Sequence, residues 1–420
     1  MTLDIRASGF WDQAALEREE RRIFDICTGC RRCFNLCPSF AHLFAGLDQE
    51  AVDGEAERLP TGDLRRVEEL CYQCKLCFNH CPYTPPHRFD LDFPRVMLRA
   101  RAVRARREGV TRQDRLLGDP DRLGRLGTLT APLSTWANTF RPHRLFLERV
   151  VGIHRDRQLP PFAREPFSRW FARRRSGATG GERVALFATC SVEYHDPAVG
   201  KAAVAVLERN GLAVELPPQR CCGMPWLDGG DIDAALAKME ANLRSLAPLA
   251  EAGVDIVVPG PTCSYVLKQE YPWLHGSPEA RAVAARTFDL MEYLMRRHEA
   301  GRLDMAFQAG IGRIAYQIPC HLRAQNIGFK SRDALALIPG ARVGLVERCS
   351  GMDGTWGMKR EFYGLSLRVA EPLLRELREA RADHIATDCP LSALQIAQGL
   401  GSRPLHPVQL LARAYGIEEA

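Results

Sequence analysis

No stretch of the 420 residues approaches the roughly 18 consecutive apolar positions that a membrane-spanning helix requires, so any membrane attachment is expected to be peripheral or through a partner. The chain has no G-x-G-x-x-G fingerprint after a strand pattern, no phosphate-binding G-x-x-x-x-G-K-[S/T] loop and no legible flavin-binding segment. Its glycines gather only in short loops, such as Gly177 with Gly180-Gly181, and Asp228-Gly-Gly230. A chain without an organic redox cofactor is poorly equipped to oxidise an organic substrate by hydride transfer. Residues Met1 to Arg22 contain no apolar signal-peptide core. The 15 cysteines therefore point to metal in a reducing compartment rather than to disulfides. The expected location is the cytoplasm, with or without peripheral contact to the inner face of the cell membrane. A hydrophobic content of 46% supports two or three separate cores.

What the chain does have is a pair of cysteine runs of one spacing, Cys27-Thr-Gly-Cys30-Arg-Arg-Cys33-Phe-Asn-Leu-Cys37-Pro38 and Cys71-Tyr-Gln-Cys74-Lys-Leu-Cys77-Phe-Asn-His-Cys81-Pro82. C-x2-C-x2-C-x3-C-P is the run with which bacterial two-cluster ferredoxins hold their iron-sulfur clusters. Three thiolates at every third position of a tight loop converge on one face of a small cluster, and the fourth points elsewhere. In modules of this spacing the fourth cysteine ligates the other cluster. Cys27, Cys30, Cys33 and Cys81 are thus expected to hold one [4Fe-4S] cluster, and Cys71, Cys74, Cys77 and Cys37 the second. Zinc fits these runs poorly, because its ligands usually come in pairs with a longer gap between them. His80 falls inside the second run, where the cysteine count is already complete, and reads as a loop residue. Pro38 and Pro82 are expected to end their loops and turn the chain. Arg31, Arg32 and Lys75 within the loops are expected to set the cluster potentials.

Positive charge is unevenly spread. The formal net charge is +6, and arginines crowd Leu98 to Arg125 and return at Arg169 to Arg175. Leu and Val recur among them at helical spacing. The segment therefore reads equally as the solvated face of helices and as a surface for an acidic partner or an anionic membrane; nucleic acid is not expected as a partner. Thr130 to Phe171 then holds Trp136, Phe140, Phe146, Phe162, Phe167 and Trp170 among prolines. That composition suits a linker that packs against something, with docking to a membrane interface or to a partner protein as the functional alternative.

From Arg183 the chain changes character and repeats itself. Val184 to Ala188 reads as a strand running into Cys190, Ala202 to Glu208 as a helix, and Ala213 to Leu216 as a strand leading to Cys221-Cys222-Gly223. A long helical pattern from Ile232 to Leu249 precedes a third strand, Val254 to Val258, and the loop Gly260-Pro-Thr-Cys263. The second copy runs from Arg313 into Pro319-Cys320-His321, from Val343 into Cys349-Ser350-Gly351, and from His384 into Asp388-Cys389-Pro-Leu-Ser392. Aligning the strands matches Cys190 with Cys320, Cys221-Cys222-Gly223-Met224 with Cys349-Ser350-Gly351-Met352, and Gly260-x-x-Cys263 with Cys389-x-x-Ser392. The copies read as a duplicated βαβαβ unit whose cysteines fall just past strand ends, where open α/β sheets place their ligand sites.

The predicted fold class combines α+β and α/β. A helical two-[4Fe-4S] ferredoxin-like module spans residues 1–110, a basic, aromatic and proline-containing linker 111–182, and two cysteine-rich α/β domains 183–300 and 301–420.

Taken together these motifs resemble the family of iron-sulfur subunits in which a two-cluster ferredoxin module precedes two "CCG" domains, as in anaerobic glycerol-3-phosphate dehydrogenase, glycolate oxidase and heterodisulfide reductase. The resemblance rests on the two ferredoxin runs, on Cys190 with Cys221-Cys222-Gly223, on Pro261-Thr-Cys-Ser-Tyr-Val-Leu-Lys-Gln-Glu-Tyr-Pro272, and on Cys320-His321 with Cys349-Ser350-Gly351-Met-Asp-Gly-Thr-Trp356. It implies an electron-transfer subunit that works with a flavin dehydrogenase or another redox protein and serves a quinone or similar acceptor at the membrane face. The alternative it implies is a catalytic subunit that reduces a disulfide or another small sulfur compound at the first CCG site. The family's CCG pattern is one cysteine, a CC pair before glycine, then CxxC, and here it is incomplete. The first copy has Gly260 in place of one cysteine, and its Cys190, Cys221, Cys222 and Cys263 suffice for a further iron-sulfur cluster. The second keeps Cys320, Cys349 and Cys389 but carries Ser350 and Ser392, and serine is a much weaker metal ligand than a thiolate. Three cysteines beside His321 suit a Cys3His zinc site or a labile cluster, although His321, directly after a cysteine, is expected to face away and be structural.

Overall fold

The computed structural model describes residues 3–174 and 181–417. Arg175, Gly177 and Gly180 of the expected linker lie outside the described residues. The chain forms two compact units, one of Met1–Gly118 with Pro225–Ala235 and one of Asp119–Met224 with Leu236–Ala420, so the expected linker is divided between them.

The first unit is helical. Helix α1 (Gln13–Cys30) starts where the Asp12 carboxylate accepts the Ala15 N–H at 2.6 Å and stops at Arg31, whose φ of 51° is left-handed. Its last turn thus carries Cys27 and Cys30, and the left-handed residue swings the chain toward Cys33. Helix α2 (Pro38–Leu47) begins at Pro38. This proline opens a helix rather than turning the chain away, because a first-turn residue has no intrahelical partner for the N–H that proline lacks. Helix α3 (Thr61–Leu70) leads into Cys71, helix α4 (Leu76–His80) carries Cys77, and helix α5 (Phe93–Glu108) is capped by Asp92, which accepts the Arg95 N–H at 3.0 Å. Phe24, Phe40, Phe44, Phe93, Val96 and Met97 are buried together with Cys71 and Cys77, and the Phe40 and Phe93 rings stack at 4.5 Å. Each such side chain contributes about 1.5–3 kcal/mol by burial, which gives the cysteine loops a stiff base.

The arginines of α5 are largely internal. Arg99 is buried and donates to Phe10 O at 2.7 Å, Arg101 donates to the carbonyls of Cys71 and Asp228, and Arg104 pairs with Glu68 at 2.8 Å. Three side chains of the apparent basic stripe therefore hold the module together, a role that charge patterning alone cannot reveal.

The second unit contains two parallel sheets. Strands β1 (Glu182–Leu186), β2 (Leu212–Glu215), β3 (Asp255–Val258) and β4 (Thr287–Asp289) lie in the order β2-β1-β3-β4; β5 (Arg313–Gln317), β6 (Arg342–Val346) and β7 (His384–Ala386) lie in the order β6-β5-β7. Val184 pairs with Asp255 and Ile314 with His384, each central-strand residue lying the same distance before its cysteine, Cys190 or Cys320. The repeat read in the sequence is thus a repeat of topology. Only β4 escaped that reading, since three residues are too few to show a period; in the second copy its place is taken by a single parallel bridge from Ala386 to Leu405. One buried cluster serves both copies, with Leu186, Leu207 and Leu294 of the first packed with Ile314, Tyr316 and Leu410 of the second.

Buried within this unit, Asp289 has its carboxyl pushed up to about 8, by burial first and then by Asp388. A carboxyl raised in the fold keeps a proton that the unfolded chain releases, so its contribution is complete below the ordinary value of 3.8 and is lost as the pH climbs to about 8. Asp289→Asn removes this titration and keeps the carbonyl that accepts the Met291 N–H. Its melting temperature is expected to fall less than the parent's between about pH 5 and about pH 8; equal falls would show that Asp289 holds no extra proton.

Candidate metal centres

In the first unit the eight motif cysteines sort into two groups that cross the sequence. Cys27 has Cys33, Cys81 and Cys30 as electrostatic neighbours, and Cys33 has Cys81 and Cys30. Cys77 has Cys74, Cys71 and Cys37, with Cys33 a weaker neighbour. Burial first, and then these neighbours, drives the Cys27 and Cys77 thiols well up and the Cys33 thiol up to about 11. Cys81 is raised as well, again chiefly by burial. Crowded, buried thiols resist ionising on their own, and four thiolates become favourable together only against cationic metal. This all-sulfur donor set fits iron-sulfur clusters.

The ligand loops are fixed by their own backbone. Gln73 and Lys75 occupy left-handed conformations, with φ of 56° and 64°. Gln73 Nε2 donates to Cys71 Sγ at 3.5 Å and to Pro94 O at 3.1 Å, while Lys75, 3% exposed, donates Nζ to Gln73 Oε1 at 2.8 Å. The Tyr83 N–H donates to Cys81 Sγ at 3.4 Å. The three basic loop residues are therefore not equivalent. Lys75 is buried against the loop of Cys71 and Cys74, Arg31 is paired with Asp48 at the surface, and Arg32 is exposed and favours the thiolates of Cys33 and Cys81.

In the second unit, Cys190 opens the helix Cys190–Tyr194, Cys221 and Cys222 follow β2, and Cys263 lies on the helix Pro261–Tyr265. The four thiols form one hydrogen-bonded chain. Bonds from Cys190 and then Cys222 hold Cys221 well below the usual thiol value, and Cys190 and Cys222 are held up by the bond to Cys221 and by burial, with Cys263 also bonded to Cys222. Gly260 stands where the CCG pattern has a further cysteine. A Cβ there would come within 2.8 Å of Thr189 Cγ2, and Thr189 is the residue whose hydroxyl caps the Cys190 helix by accepting the Val192 N–H at 3.3 Å. Packing thus leaves room for four thiols and not five.

Distant residues clamp the Cys221 backbone. Asp121, on the helix Pro120–Leu129 of the expected linker, accepts the Cys221 N–H with both carboxylate oxygens at 3.1 Å and is paired with Lys238 at 2.7 Å. Asn242 Nδ2 donates to Cys221 O at 3.2 Å and to the Tyr271 hydroxyl at 2.9 Å, and its Oδ1 accepts the Arg220 N–H at 2.7 Å. Asp121, Lys238 and Asn242 were missed by sequence reasoning, and no local pattern marks a polar residue as the partner of a backbone group 100 positions away. Tyr271 at least falls within the motif segment ending at Pro272. A cavity of about 850 Å³ opens on Cys190 and Cys221, with Leu129, Phe171 and Leu216 on its apolar wall and Arg125, Arg169, Arg220 and Arg244 around its polar one.

The second copy places Cys320 at the start of the helix Cys320–Ala324, Cys349 after β6 with its Sγ accepting the Gly351 N–H at 3.3 Å, and Cys389 before the helix Pro390–Leu400. All three are half-buried. Ser350 and Ser392, the counterparts of Cys222 and Cys263, are buried and hydrogen-bond to each other at 3.1 Å. Two touching thiols in one copy are thus replaced by two mutually satisfied hydroxyls in the other.

Residues 20–107 match the model of the citrate utilization protein B Fer4-like domain, and residues 184–268 and 314–397 that of the CCG cysteine-rich domain. An iron-sulfur relative, one of the subunits of anaerobic glycerol-3-phosphate dehydrogenase from Escherichia coli strain K12, is 30% identical over 405 residues, which cover 93% of this chain and 98% of that one. The chain belongs to the family of that dehydrogenase component. Lactate utilization protein A from Geobacillus kaustophilus strain HTA426 is 29% identical over 251 residues, 53% of this chain and 99% of the relative. One of the subunits of the CoM/CoB fumarate reductase from Methanothermobacter marburgensis is 29% identical over 240 residues, 56% of this chain and 46% of the relative. The family's members carry iron-sulfur clusters on these two domain types, and the two cysteine-rich matches contain the two parallel sheets. Among the described residues, no helix is long and apolar enough to cross a membrane.

Proposed function

We propose that this protein is the electron-carrying subunit of a dehydrogenase or reductase complex, taking electrons from a flavin-bearing partner and delivering them to a membrane quinone. The observation that carries this reading is the convergence of three four-thiol groups in a chain without a dinucleotide or phosphate-binding motif. In this reading residues 1–110 hold two [4Fe-4S] clusters, one on Cys27, Cys30, Cys33 and Cys81 and one on Cys71, Cys74, Cys77 and Cys37. The first CCG domain, 183–300, holds a further cluster on Cys190, Cys221, Cys222 and Cys263; residues 111–182 connect, and 301–420 form the second CCG domain. When bound, such clusters supply one-electron storage and transfer. The chain's own residues bury them, fix the loops through Gln73, Asp121 and Asn242, and set their electrostatic surroundings through Lys75 and Arg32. The test is to reduce the purified protein anaerobically and mix it with a short-chain quinone. Rapid reoxidation of the cluster chromophores supports the reading, and clusters that stay reduced refute the quinone.

The acceptor's side is suggested by an apolar surface. Leu129, Leu133, Trp136, Phe140 and Phe146 are 83, 70, 58, 43 and 58% exposed on neighbouring short helices, beside the exposed Arg122, Arg141 and Arg149. Leucine, aromatic rings and arginine together suit a bilayer interface. Leu129 also lines the cavity that opens on Cys190 and Cys221, so a lipid-soluble acceptor would meet the cavity from that side. Replacing Leu129, Leu133 and Trp136 by glutamate is expected to lower co-sedimentation with anionic liposomes more than tenfold, since each side chain's burial contributes about 1.5–3 kcal/mol. Undiminished binding by the triple variant would rule this surface out.

The four arginines around the cavity favour a second reading, in which a small anionic disulfide is reduced there. Assay of disulfides under reduced dye separates the two.

A further inference from the structure

We propose that the second CCG domain binds one divalent cation of the zinc class through Cys320, His321 and Asp353, in place of an iron-sulfur cluster. One ligand atom from each, a thiol sulfur, an imidazole nitrogen and a carboxylate oxygen, lies within 4.8 Å of the other two. Sulfur, nitrogen and oxygen in one small group form a zinc donor set, and three protein ligands leave the fourth tetrahedral position to water. The thiolate pattern that would build a cluster is broken at the same place. Ser350 and Ser392 satisfy each other at 3.1 Å, so the side of the site that in the first copy carries Cys222 and Cys263 offers no thiolate.

His321 is where the structure revises the sequence reading. Its ring is 3% exposed, its Nδ1 lies 2.9 Å from Thr262 Oγ1, and Tyr265 stacks on it at 5.2 Å and 15°. With Nδ1–H donated to the threonine, Nε2 is the ligand nitrogen, and the hydrogen bond and the stack fix the ring as metal-bound imidazoles are commonly fixed. Asp353 is held in a left-handed conformation, φ 32°, between Gly351 at 67° and Gly354 at 53°. L side chains rarely adopt that backbone, and here it belongs to the loop that brings the carboxylate beside Cys320. Thr262 and Tyr265 share the helix Pro261–Tyr265 with Cys263 of the first copy. The cation would therefore tie the second copy to the helix that carries a thiol of the first.

The experiment measures zinc and iron in the full-length protein purified anaerobically with its clusters, for the parent and for Asp353→Asn, His321→Gln and Cys320→Ser. The expected result is about one zinc per chain in the parent, lost at least fivefold in each variant while iron content and EPR signals stay unchanged. Asp353 is half-exposed, so its amide variant is the least intrusive. Cobalt supplied to zinc-depleted parent gives a second readout, a thiolate-to-cobalt absorption band that Cys320→Ser abolishes. Zinc that is retained in Asp353→Asn overturns the proposal, as does parent protein that takes up neither zinc nor cobalt. Loss of iron and of an EPR signal in Cys320→Ser overturns it in favour of a cluster.

Discussion

Cys222→Ser is expected to remove one cluster, about four of about twelve irons, and to leave the EPR signals of the two first-unit clusters in place. Cys222 lies mid-chain in the thiol network, bonded to both Cys221 and Cys263. Its replacement leaves three thiols and a hydroxyl that does not ionise near neutral pH. The protein itself supplies the folding control. Cys222→Ser combined with Cys263→Ser recreates the pair that Ser350 and Ser392 already form at 3.1 Å, so the double variant should fold with the same iron content as the single one. Electron delivery to a quinone should fall to background in both if the first CCG site is the exit. Iron that is unchanged would show Cys222 is no ligand, and loss of all iron would show that the two units do not load independently.

How far the sequence can be read follows from the range over which each feature is encoded. The ferredoxin runs and the duplication were legible because spacing within a dozen residues decides both a cluster loop and a strand ending in a cysteine. Thr287–Asp289 was not, since a strand of three residues shows no alternation. Arg99, Arg101 and Arg104 look like a basic surface at helical spacing, yet what they hold is set by carbonyls and a carboxylate up to 127 positions away. The clamp of Asp121 and Asn242 on Cys221 is invisible for the same reason. Gly260 reads in sequence as a missing ligand; the structure shows instead that the Thr189 side chain fills the space, a fact of packing that no pattern records. Likewise Ser350 and Ser392 could be seen as absent thiols, but that they satisfy one another required the fold.

Such long-range placement also separates the three basic residues that the loops present as equals, and the separation can be measured. Lys75→Met is expected to lower the potential of the cluster proposed for Cys71, Cys74, Cys77 and Cys37. A nearby cation favours the reduced, more negative state, so removing it makes reduction harder. A unit charge about 8 Å away at an effective dielectric near 20 is worth about 2 kcal/mol, or about 90 mV for one electron. Methionine keeps the buried volume, and the lost bond to Gln73 Oε1 costs about 1–3 kcal/mol of stability, tolerable for a loop braced by the Gln73 bond to Pro94. Arg31→Met is expected to shift either potential far less, because Asp48 already pairs with Arg31 at the surface, where water screens what remains. An EPR-monitored redox titration of both variants decides. One signal moving in Lys75→Met, with neither moving comparably in Arg31→Met, would assign that cluster to the loop of Lys75. Equal shifts of both signals, or a larger shift from Arg31, would mean that the potential is set by solvent exposure rather than by the buried lysine.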